Sequence, residues 1–181
     1  MKLLVTIIFL LVFPFTLFSQ VKDTIQEKHK AFFYRMAKNG GVWVAENPKY
    51  DASNPDDFKV FMLKVKQSDS LKIDADILGV NTKNDTIGFW KFTDFYAPDK
   101  KKNIYYQRSI DGMYYASGEA TMTETERYCE MSFYYSGGEY LKHKDTHTFI
   151  GDNTLRSVSY DYDPKSQSWT NESIMIWERR K

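Results

Sequence analysis

From Val42 onward the apolar residues of this chain recur at every second position. Leu71, Ile73, Ala75 and Ile77 alternate with Lys72, Asp74 and Asp76. Cys129, Met131, Phe133 and Tyr135 alternate in the same way with Tyr128, Glu130, Ser132 and Tyr134. A period of two sends successive side chains to opposite faces of a β-strand. Further strand segments follow at 58–66, 86–93, 104–108, 113–118, 146–150, 155–162 and 168–179. Turn residues separate them: Asn84-Asp85, Asp111-Gly112, Gly137-Gly138, Asp152-Asn153 and Asp163-Pro164-Lys165. Asp-Gly between two apolar runs is a strong tight-hairpin signal. The polar stretch 47–57, with Pro48 and Pro55, predicts a long loop, as does 98–102. Residues 121–127 read as a loop or one short helical turn.

Short links pair neighbouring strands antiparallel. An open sheet of this many strands would be very wide and would leave two unpaired edges. The expected architecture is therefore all-β: a closed antiparallel meander barrel of about eight to ten strands.

The chain before Val42 has a different rhythm. Residues 23–38 predict a single N-terminal helix, capped by Asp23 or Thr24, with Ile25, Phe32, Phe33 and Met36 near one stripe. Asn39-Gly40-Gly41 supplies a left-handed stop. The stripe is expected to pack on the barrel or plug one end of it. Residues 1–19 read as a signal peptide: Lys2, then an apolar run broken by Pro14, ending in Ser19 before Gln20. The run is short for a bilayer span, and no Cys follows it to carry a lipid. The expectation is an exported protein, periplasmic or secreted, without stable membrane insertion once the signal is removed. Residues 20–181 are expected to form one domain, the barrel with its helix.

A formal charge of +1 favours neither nucleic acid nor an anionic membrane as partner. The lone cysteine, Cys129, excludes an internal disulfide, so burial and hydrogen bonding must carry stability. Thirteen Tyr and thirteen Phe suit strands and binding surfaces alike.

Gly41-x-Trp43 after a short helix, followed by a strand meander, resembles the calycin superfamily of lipocalins, fatty-acid-binding proteins, avidins and nitrobindin-like barrels. The resemblance implies that Trp43 plugs the base of the barrel. It also implies that an arginine near the end of the chain covers that ring, a place open to Arg179 or Arg180. Cys129 alone cannot supply the lipocalin disulfide, and no helix follows the strands, so the likeness is to the broad superfamily, as an exported bacterial branch. Asp23-Thr24-Ile25, Asp69-Ser70-Leu71 and Asp85-Thr86-Ile87 look like short acceptor motifs for bacterial O-glycosylation.

Three functions are compatible with this pattern. The favoured one is carriage of a small, largely apolar molecule inside the barrel, without catalysis or cofactor. Trp90, Tyr106, Tyr115, Phe133 and Tyr160 are the expected ligand-binding residues, since rings on alternate positions line an interior and Tyr adds an orienting hydroxyl. The second is a metal-dependent enzyme. His143, Asp145 and His147, spaced by two, would project from one face of a strand, and two His with a carboxylate can hold zinc or iron. Interleaved Lys142 and Lys144 favour instead a solvated edge or loop. The third is an envelope interaction protein with a filled barrel. Cys129 reads as a buried small hydrophobe, and Asp74 with Asp76 as a solvated outer face.

Overall fold

The computed structural model describes residues 23–135, 138 and 140–180. The signal segment and Gly137 lie outside the described residues. Ten strands follow in order: β1 (Val42–Glu46), β2 (Phe58–Asp69), β3 (Lys72–Asn81), β4 (Thr86–Ala97) and β5 (Lys102–Ser109), then β6 (Tyr114–Met122), β7 (Glu126–Tyr135), β8 (Tyr140–Phe149), β9 (Thr154–Asp163) and β10 (Ser168–Arg179). Each pairs antiparallel with its neighbour in sequence, and β1 pairs with β10, so the sheet is a closed meander barrel. Closure joins the first and last strands, so neither is left wholly as an open edge.

The closing seam is short. It pairs Trp43 with Arg179 and Val44 with Glu178, and the Arg180 N–H donates to Val42 O at 2.9 Å. Two segments depart from the sequence reading. Residues 121–127 form no helical turn: β6 and β7 run into them, and the Thr123 hydroxyl accepts from the Thr125 and Glu126 N–H groups to close a tight link. Strand β8 begins well before residue 146, so the His-x-Asp-x-His run is ladder rather than loop.

A single α-helix, α1 (Thr24–Ala37), precedes the strands. Asp23 caps it, accepting from the Ile25 and Gln26 N–H groups at 3.0 and 3.2 Å. Its buried face is His29, Phe32, Phe33 and Met36. Ile25 is exposed, and His29 takes the place expected for it. The helix closes the end of the barrel where β1 begins. Phe32 meets Phe149 with ring centroids 5.2 Å apart, and the Tyr96 hydroxyl donates to Asp23 at 2.7 Å.

Beyond α1 the chain passes through a short 3-10 turn, Lys38–Gly40, and turns at Gly41, where φ is +63°. A Cβ at Gly41 would lie 2.0 Å from Val65 O. Only glycine allows both that φ and that approach. The joint aims Trp43 inward and buries it completely.

Candidate functional site

Alternation along ten strands fixes which side chains face inward, and they differ from one side of the barrel to the other. From β2, β3 and β4 come Leu63, Ile73, Ile77, Trp90 and Phe92, an apolar wall. Facing it, β8 and β9 present Asp145 opposite Ser159 and His147 opposite Ser157. Phe32 and Met36 of the helix also line the space. Between these walls lies a cavity of about 240 Å³. The inner row of β6 contains Ala116, Gly118 and Ala120, and these small residues leave room for Tyr105 and Met131 on the strands beside it.

An ionic network lies in this interior. Arg127 is buried. Its Nε donates to Asp94 Oδ2 at 2.7 Å and its Nη1 to Asp145 Oδ1 at 2.6 Å. The guanidinium carbon lies 4.8 Å from the centroid of the Tyr105 ring, a cation–π contact. Asn103 donates to Asp94 from the next strand, and the Tyr105 hydroxyl donates to Gln107. Arg127 Nη2 is buried with no hydrogen-bond partner.

Burial raises Asp94 to about 6, more than the Arg127 charge holds it down. Burial also lowers His147, which leaves its imidazole neutral at pH 7 and, among the described residues, without a hydrogen bond. Burial pushes the Cys129 thiol up to about 12, so it carries no thiolate at neutral pH. Arg127 thus stands between two carboxylates.

The residues expected to bind a ligand divide. Trp90 and Phe133 line the cavity, with ring centroids 5.8 Å apart. Tyr106, Tyr115 and Tyr160 do not. Tyr106 and Tyr115 are 44% and 45% exposed on the outer wall, where Tyr115 stacks on Tyr134. Tyr160 bonds Glu172 outside and receives Lys144 Nζ over its ring at 4.9 Å. The reason is register: in Tyr105-Tyr106 and Tyr114-Tyr115 the first ring of each pair has the inward parity, and a one-residue shift exchanges the faces.

His143, Asp145 and His147 share the inner face, but the expected metal set is not assembled. Asp145 is bound by Arg127, and His143 Nδ1 lies 2.8 Å from Asp161 Oδ1. Among the described residues no three His, Cys, Asp or Glu side chains are grouped to hold a metal ion. Trp43 donates its Nε1–H to Met36 O at 2.9 Å, and the Arg179 guanidinium lies over its ring at 3.9 Å. Asp74 and Asp76 face outward beside Lys72 and Lys91. Asp94 and Arg127 escaped the sequence reading. Their signal was parity: Asp94 lies in step with Trp90 and Phe92, and Arg127 with Cys129 and Met131.

No protein-family model and no curated protein matches this chain. Two solved structures are similar to it at low scores. One is a protein of unknown function from Bacteroides fragilis, 13% identical, covering 63% of this chain and 91% of that one, with a TM-score of 0.35. The other is EF1p2_mFAP2b bound to DFHBI, 9% identical, covering 86% and 99%, with a TM-score of 0.33. Likenesses this distant carry no argument about the site, and the architecture rests on the strand pairing itself.

Proposed function

We propose that this chain binds a small, largely apolar molecule inside its barrel. The observation that carries the reading is the cavity of about 240 Å³, lined by aromatic and aliphatic side chains and by a cluster of polar ones that includes Asp94, Arg127, Asp145 and His147. Ligand sites have this character, mostly apolar with a few placed polar groups. A space of this size suits a one- or two-ring molecule.

The same reading places the chain among calycin-like barrels, supported by the base Trp43, its covering Arg179 and the meander order. It also places the protein outside the cytoplasm, on the strength of residues 1–19, which lie beyond the described residues.

Naphthalene, a neutral two-ring probe, tests the reading by calorimetric or fluorescence titration of the protein lacking residues 1–19. Saturable one-to-one binding is expected. Ser159→Phe, which fills the cavity from β9, is expected to weaken binding at least about tenfold while moving the melting temperature by less than about 4 °C. Unchanged binding in that variant would place the probe elsewhere and end the proposal.

A further inference from the structure

The interior polar groups restrict the ligand beyond its size, provided that the binding reading above holds. Arg127 makes two hydrogen bonds, one to each flanking aspartate, and keeps Nη2 buried without an acceptor. Asp145 bonds Arg127 through Oδ1, and its other oxygen has no hydrogen bond among the described residues. His147, one rung along β8, has both ring nitrogens free and lines the same cavity. The network therefore has an unmet donor on Arg127 and unmet acceptors on Asp145 and His147.

We propose that this interior recognises a flat heterocycle bearing a neutral amide or lactam edge, whose carbonyl accepts from Arg127 and whose N–H donates to Asp145 or His147. Two features exclude other chemistries. A carboxylate would satisfy Arg127 but would bring a third negative charge beside Asp94 and Asp145, and like charges interact strongly in a low-dielectric interior. An ammonium group would suit Asp145 but would leave the Arg127 N–H without an acceptor and set two cations side by side. A neutral donor–acceptor pair meets both needs and adds no charge. The flat shape follows from the facing rings of Trp90 and Phe92, with Phe133 edge-on to Trp90, and from the cavity volume.

The test is a matched set of two-ring probes titrated against the unaltered protein at neutral pH. The set is isoquinolin-1-one, its N-methyl derivative, naphthalene, 1-naphthoate and 1-naphthylmethylammonium. The lactam is expected to bind at least tenfold more tightly than each of the others, and N-methylation, which removes the donor, to cost about tenfold. Naphthoate or the ammonium probe binding as tightly as the lactam would overturn the inference, as would an N-methyl derivative that loses nothing. Naphthalene binding with no advantage for the lactam would sink this inference and leave the cavity reading standing. No binding by any probe would sink both. The comparison needs no variant, so it does not depend on a barrel that survives loss of Asp145 or Arg127.

Discussion

Asp94 shows how one side chain links the interior to solution pH. In the folded barrel it titrates near 6, above the ordinary carboxylate value, because burial penalises its charge. The folded state therefore holds this proton more tightly than the unfolded chain. The group's stabilising contribution is fully present below the unfolded carboxylate range and is lost as pH rises through about 6. His147 acts in the opposite sense, since burial lowers it and acid must charge it. Subtracting Asp94→Asn from the parent isolates the first effect. The stability of the parent relative to the variant is expected to fall between about pH 4 and about pH 7, by urea denaturation at several pH values. A difference that is flat or rises with pH would contradict the assignment.

At this same scale the sequence was only half legible. Alternation marks a strand but not which of two adjacent rings faces in. Tyr105 and Tyr106 are equal candidates until register is known, and the wrong choice carries a whole row outward. Polar residues in step with apolar ones, such as Asp94 after Phe92, were the available clue to the buried network.

Among the elements, the helix and the last strand depend on one another through Arg179. Its Nη1 donates to Lys38 O at 2.6 Å, its Nη2 to Arg35 O, and its plane covers Trp43. These carbonyls belong to the end of α1, where backbone acceptors lack partners within the helix and favour a cation. Arg179→Ala is expected to destabilise the protein by about 2–4 kcal/mol, and Arg179→Lys to restore only part, since lysine cannot both stack and fork. Equal stability of the alanine variant by chemical denaturation would remove the arginine from this role.

Strand β6 depends on Gly118 in another way. A Cβ there would come within 2.0 Å of Glu130 O, so Gly118→Ala must push β6 from β7. A loss of more than about 2 kcal/mol is expected, read from the denaturation midpoint. The helix and most strands were legible because their periods are long and clean. The β6–β7 link at 121–127 was not, because a polar run reads the same as loop, turn or exposed strand end.

For the whole molecule, closure is the organising fact. Strand β10 pairs with β9 on one side and β1 on the other, so deleting residues 168–180 exposes the long edge of β9 and the short one of β1 at once. The truncated chain is expected to form high-mass aggregates on size-exclusion chromatography, because unpaired edges recruit other chains. A well-behaved monomer would show that the barrel holds without its final stave. Closure was legible from the count of strands and the shortness of their links. The asymmetry of the lumen was not, because it depends on which faces ten separate registers bring together.

The seam between β1 and β10 engages only Trp43–Arg179 and Val44–Glu178, whereas β10 runs beside β9 from Ser168 to Glu178. Most of the final strand is therefore anchored along one flank. If a guest is carried, its dwell time is governed by how often this slack side parts, and tightening that flank would slow departure without altering a single atom that the guest touches.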